Sequence, residues 1–270
     1  MADPILNVQN LTMDFGGLRA LDHVNIDIQQ NEIIALIGPN GAGKTTFFNC
    51  ITGIYTPTDG DILVTAPPRS GAASKTERIN GLKPNQVTEK GMARTFQNIR
   101  LFPNMTVLEN VMIGRHCRTH SGILGAVLRN RGMVKEEQAV VDTSYQLLEK
   151  IGLSRFVNDL AKNLPYGAQR RLEIARALAT EPFLLLLDEP AAGMNPHETR
   201  ELDELITRIR NEEKVSILLI EHDMKLVMSL SDRIFVMDYG KKIAHGTPEE
   251  IRNNPMVIKA YLGEECDVEG

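Results

Sequence analysis

Residues 38–46 read Gly38-Pro39-Asn40-Gly41-Ala42-Gly43-Lys44-Thr45-Thr46. The stretch fits G-x-x-x-x-G-K-[ST]. It follows an apolar run, Glu32–Ile37, that reads as a buried strand, and it precedes a helical pattern that starts near Lys44 and extends to about Thr52. Gly38, Gly41 and Gly43 lack a Cβ, so the backbone can fold tightly round an anion and aim successive N–H groups at it. The helix that follows adds the positive end of its dipole. Lys44 is then placed to bridge the β- and γ-phosphates of a nucleotide, and the Thr45 hydroxyl to reach Mg²⁺. Strand before and helix after separate this stretch from an ordinary glycine-rich turn.

Working outward, the N-terminal side offers two strands, Ile5–Phe15 and Leu21–Gln30, around a Gly16-Gly17 turn. Another short strand follows at Gly60–Thr65, and residues 65–85, rich in Pro, Gly, Ser, Ala and Lys without a period of 2 or 3.6, read as an exposed mobile loop. Helical spacing dominates from Met105 to about Leu160, with a short apolar piece at Gly122–Leu128 that suits core or docking. Strands and helices alternate again from Glu173. A helix holds Leu172, Ala175 and Leu178; strands follow at Phe183–Leu187, Val215–Ile220 and Arg233–Met237. The helix Glu198–Arg210, a hairpin at Tyr239-Gly240 and a C-terminal helical segment complete the pattern. This rhythm predicts an α/β fold with a mainly parallel sheet, an N-terminal antiparallel β part and an inserted helical part. The expected division is one domain over 1–270, with core 5–96 and 177–250, helical subdomain 97–176 and helical tail 251–270.

With 30 Lys and Arg against 35 Asp and Glu, the net charge of −5 provides no global field for nucleic acid, so none is expected as a partner. The three cysteines are odd in number and without metal-ligand spacing, which suits a reducing compartment. The opening residues lack a basic-then-apolar leader, and the longest apolar run is far short of the ~20 residues a membrane helix needs. Membrane association is therefore expected through a partner.

A second group of residues carries chemistry. Leu184–Glu189 is an apolar run that ends in two carboxylates. A strand ending beside the phosphate loop would put Asp188 where it can hold Mg²⁺ and Glu189 where it can deprotonate the attacking water. His222 follows the strand Val215–Ile220, at the edge where ligands gather in open α/β sheets. Gln97, in Arg94–Gln97, can donate to water and accept from a metal shell together.

These motifs, with Leu164–Gln169 (LPYGAQ), Arg170–Leu178 (RRLEIARAL) and Ala192–Asn195, occur in the order of the ATP-binding cassette ATPases, which the chain resembles over about residues 5–262. Within that family it is similar to the ATP-binding subunits of bacterial branched-chain amino acid importers. Segments such as LTMDFGGLRALD, RTFQNIRLFPNMTVLENV and GTPEEIRNNPMVIKAYLG carry that closer likeness. A related subgroup serves lipopolysaccharide export.

The resemblance implies that Phe15 stacks on adenine, that Asn40–Thr46 hold phosphates, and that Thr45, Gln97 and Asp188 complete the Mg²⁺ environment. It also implies that Glu189 is the base, that His222 senses the γ-phosphate, and that Pro165, Tyr166, Gly167, Ala168 and Asn195 cap ATP held by a second cassette. The implied partners are that second subunit, integral membrane permeases and, indirectly, an extracytoplasmic solute-binding protein, with the chain on the cytoplasmic face of the membrane. Two departures stand out: the usual LSGGQ is Leu-Pro-Tyr-Gly-Ala, and Asn195 replaces a carboxylate. Other functional expectations are a cassette ATPase of a different transport system, a soluble cassette ATPase of translation or repair, and a P-loop GTPase or kinase. The chain has neither the tandem cassettes nor the coiled-coil insertions usual in the soluble class, and no N-K-x-D guanine motif.

Overall fold

Five consecutive buried residues, Ile33–Ile37, open the central sheet as β3, and the same uninterrupted burial recurs in β7 (Leu184–Asp188) and β8 (Ser216–Ile220). Strands covered on both faces read as continuous apolar runs, the pattern of a parallel sheet with layers on either side. The computed structural model describes residues 4–68, 74–118 and 131–267. Its six-stranded sheet has the order β10 (Lys241–Gly246), β9 (Arg233–Asp238), β3, β8, β7, β6 (Met92–Arg94). All neighbours are parallel except the β9–β10 pair.

Successive residues along each strand belong to different cores. Ile33, Ala35, Ile37, Leu185, Leu187, Ile217 and Leu219 pack on one side of the sheet. There they meet α3 (Val107–Arg115), α5 (Tyr166–Leu178) and α6 (Pro196–Glu213), along with α4 (Arg131–Lys150) and α7 (Met224–Leu230). Ile34, Leu36, Leu184, Leu186, Leu218 and Ile220 face the other side. That side holds α1 (Lys44–Ile51) and an antiparallel sheet of β1 (Leu6–Phe15), β2 (Leu18–Ile28) and β4 (Asp59–Thr65). The chain thus has an antiparallel N-terminal sheet, a mainly parallel central sheet and helices, as the strand and helix rhythm predicts.

Residues 65–85 depart from expectation. Thr76–Arg78 form β5, paired antiparallel with β4 through Leu63–Arg78, Val64–Glu77 and Thr65–Thr76, and α2 runs from Pro84 to Glu89. Ile79 and Val87 are buried between them. A three-residue polar strand has no hydrophobic period to announce it; it exists because β4 offers an edge to pair with. Gly122–Leu128 lie outside the described residues. After α7 and β10 the chain closes with α8 (Pro248–Arg252) and α9 (Pro255–Asp267). No helix among the described residues is long and apolar enough to cross a membrane.

Candidate functional site

The loop between β3 and α1 leaves no room for side chains where it needs glycine most. A Cβ on Gly38 would stand 2.1 Å from the Met237 carbonyl oxygen, and one on Gly43 2.7 Å from that of Ala20. Both residues have positive φ, 151° and 97°. Gly43 is also the N-cap of α1 and contributes no side-chain cap, a helix start of the kind that suits an anion. Lys44 is buried, and its Nζ donates to the carbonyl oxygens of Gly38 (2.6 Å) and Pro39 (2.8 Å), so the lysine lies back along its own loop. Thr45 is exposed at the helix start.

This loop floors a cleft of about 510 Å³. Phe15, Arg19 and Ala20 line one side; Asn40 to Thr46 form the floor; Glu189, His222 and Tyr239 line the rest. That volume falls within the range of small-molecule sites. Phe15 stands at the rim, 40% exposed, with its ring edge-on to Tyr55 at 5.3 Å. The cleft is lined by none of Pro165, Tyr166, Gly167, Ala168 or Asn195.

Two residues far apart in sequence converge on the carboxylate of a third. Gln97 Nε2 donates to Glu189 Oε2 at 2.7 Å, and His222 Nε2 lies 2.7 Å from Glu189 Oε1. Glu189 has φ 46°, an uncommon conformation for a residue with a side chain, and it follows the last residue of β7. Its own N–H donates to Ile220 O, which fixes the turn. Glu221, buried, accepts the N–H groups of Ala191 and His222 at 2.8 Å each and so orients both sides of that turn. Asp188 is buried too, but it is paired: Arg94 Nη2 donates to its Oδ2 at 2.7 Å.

The segment Leu164–Gln169 opens α5, with Pro165 as a cap that offers no side-chain hydrogen bond. The Tyr166 hydroxyl donates to Ala192 O at 2.9 Å and accepts from Arg170 Nη2 at 3.3 Å. Gly167 is buried, and a Cβ there would stand 2.8 Å from Glu198 Oε1. Ala168 is buried in the helical core. Asn195 caps α6: its Oδ1 accepts from the N–H groups of His197 and Glu198, and Glu198 accepts from the Asn195 N–H in return.

Arg94, Arg170, Glu173 and Glu221 carry no role in the sequence reading, and the structure sets them round Gln97, Asp188 and Glu189. Arg170, fully buried, donates to the carbonyls of Phe96 (2.7 Å) and Gln97 (2.8 Å) and to Glu173 (2.9 Å). Glu173 in turn accepts from the N–H groups of Phe96 and Arg100, so the pair grips the backbone on which Gln97 sits. Burial pushes the Glu173 carboxyl above the usual carboxylate range. The available signal was an i, i+3 Arg–Glu pair on the apolar face of a helix; such pairs are usually solvated.

Thr45, Gln97 and Asp188 offer hydroxyl, carboxamide and carboxylate oxygens, a donor set that suits Mg²⁺. Only one of the three is a carboxylate, and no group of three or more His, Cys, Asp or Glu able to hold a metal occurs among the described residues. Such a donor set suits a cation that arrives with phosphate oxygens of its own; of the three, Thr45 lines the cleft, and Gln97 and Asp188 are not part of its lining.

The family described as ABC transporter matches residues 21–192, and the family described as branched-chain amino acid ATP-binding cassette transporter matches residues 241–267. The chain is 50% identical over 264 residues, covering 98% of itself and 100% of the relative, to the high-affinity branched-chain amino acid transport ATP-binding protein LivG of Escherichia coli (strain K12). It is 48% identical, with the same coverage, to BraF of Pseudomonas aeruginosa, which has the same description. Among solved structures it is similar to MJ1267, an ATP-binding cassette of an ABC transporter crystallised in its ADP conformation. The TM-score is 0.81 at 30% identity, with 97% of this chain and 100% of that chain covered.

Proposed function

Because the chain belongs to the ATP-binding cassette transporter family, we propose that it is the ATP-hydrolysing subunit of an importer of branched-chain amino acids. The observation that carries the reading is the convergence of Gln97 and His222 on Glu189 at the wall of the cleft floored by Lys44. The 50% identity to LivG along its whole length supports the substrate class.

In this reading Asn40–Thr46 bind the phosphates through loop N–H groups, and Lys44 turns from its carbonyl partners toward the β- and γ-phosphates. Phe15 provides a flat apolar face for adenine at the rim. Thr45, Gln97 and Asp188 would hold Mg²⁺, which neutralises phosphate charge when bound. Glu189 takes the proton of the attacking water, and His222 and Gln97 hold its two oxygens so that one lone pair points into the cleft. Residues 165–168 and Asn195 lie away from this cleft and complete the site of a second cassette. Hydrolysis then needs a pair of subunits on the cytoplasmic face of the membrane, coupled to permeases through the Gln97 loop and the helical subdomain 97–176.

The test is uptake of labelled leucine, isoleucine and valine by cells lacking the resident ATPase. The chain, expressed with its permeases, should restore uptake, and Lys44→Ala should not. A chain that hydrolyses ATP yet neither co-purifies with a permease nor restores uptake overturns the importer reading. A chain without ATP turnover in either setting overturns the enzymatic one.

A further inference from the structure

Arg94 is the third residue before Gln97 and the last of β6, in register with Leu186 of β7. Its side chain is 8% exposed and spans three elements. Nη1 donates to Asn49 Oδ1 (2.7 Å) and Thr52 Oγ1 (3.2 Å), both in the last turn of α1 or just beyond it; Nη2 donates to Asp188 Oδ2 (2.7 Å). The rings of Phe48 and Phe96 flank the guanidinium, 5.5 and 5.4 Å from its carbon. Thr95, fully buried, fixes the strands beside it: its N–H donates to Leu186 O, and its hydroxyl accepts from Asp188 N. The cation is therefore locked on one oxygen of the carboxylate read above as a metal ligand.

A guanidinium held this firmly neutralises Asp188 where solvent screens little. Without it, the Asp188 carboxylate would stand buried with no cation against it. A buried, unmatched carboxylate attracts a hard divalent cation by itself. With Arg94 in place, the charge of Asp188 is already matched, and phosphates must provide what a cation needs to shed its water.

Resting on the nucleotide reading above, we propose that Arg94 is a positioning residue that makes divalent-cation binding at Asp188 conditional on nucleotide. It orients Asp188 for a cation that arrives with phosphates and denies the site to the cation alone. The chain would then answer to nucleotide and not to the free cation level of its surroundings.

The test titrates the full chain with Mn²⁺, followed by its electron paramagnetic resonance signal, with and without the β,γ-imido analogue of ATP. The unmodified chain should retain Mn²⁺ only with the analogue. Arg94→Gln should retain it without the analogue, at an affinity ~10-fold or more above the unmodified chain, the scale of one charge-assisted hydrogen bond removed from competition. Arg94→Lys, which keeps the charge, should behave as the unmodified chain. The inference is overturned if Arg94→Gln, folded by circular dichroism, gains no Mn²⁺ affinity without analogue. It is equally overturned if the unmodified chain binds Mn²⁺ tightly without analogue, or if Arg94→Lys does; these two measurements decide the matter should Arg94→Gln fail to fold. If the unmodified chain takes up no Mn²⁺ even with the analogue while binding the analogue, the metal reading of Thr45, Gln97 and Asp188 falls, and the inference with it.

Discussion

In the proposed mechanism the chemistry turns on Glu189, and two hydrogen bonds of 2.7 Å hold it. Glu189→Gln keeps the shape and removes the proposed base, so ATP turnover should fall by ~10²–10⁴-fold while ATP binding persists. Parental turnover in a steady-state assay would show that another group takes the proton. Gly167 makes a second case. A side chain there points at Glu198, 2.8 Å from a Cβ. Gly167→Asp therefore sets two carboxylates against each other within one subunit; given the proposed capping role, it should also abolish ATP-driven pairing while leaving ATP affinity of the single chain nearly intact. Normal pairing by size exclusion with ATP would remove Gly167 from that role. Cys50 offers a probe of the loop: burial pushes its thiol up to about 12. With Cys117 and Cys266 replaced by serine, a neutral-pH thiol reagent should label Cys50 only as α1 opens, and ATP should slow the labelling. Rapid labelling of the native chain, unaffected by ATP, would contradict the packing of Cys50 against the antiparallel sheet.

At the scale of elements, what was legible was whatever its own residues dictate. The glycines of the phosphate loop declared a backbone shape, the leucine run of β7 declared burial, and the apolar face of α6 appeared in the spacing of Leu202, Leu205, Ile206 and Ile209. What was hidden depends on partners remote in the chain. β6 is three residues long and reads as nothing until β7 pairs with it, and Arg94 meets Asp188 across 94 residues of sequence. The carboxylate missing at position 195 acquires a local meaning in the fold, since Asn195 caps α6. Asn195→Ala should cost ~0.5–2 kcal/mol in chemical denaturation. Asn195→Asp should match or exceed the parent, because a carboxylate at a helix start also meets the dipole. A loss on Asn195→Asp equal to that of Ala would show that the cap is not what Asn195 contributes to stability.

For the whole molecule, the decisive property is that one sheet serves two cores. Leu184 and Leu186 belong to the side of α1 and the antiparallel sheet, Leu185 and Leu187 to the helical side. Leu186→Ala and Leu187→Ala should each lose ~2–5 kcal/mol in denaturation, the range for buried leucine truncation. A near-neutral result at either position would mean that its side of the sheet is not packed as described. The same alternation continues one step further, to Asp188 on the face where Arg94 and α1 wait. A slip of β7 by one residue would exchange the two cores and turn Leu187 toward Arg94 in place of Asp188. Assembly errors in this strand are therefore all-or-none: a chain that has sorted its leucines correctly has, by the same act, aimed its acid, and quality control that senses exposed leucine also screens for a working motor.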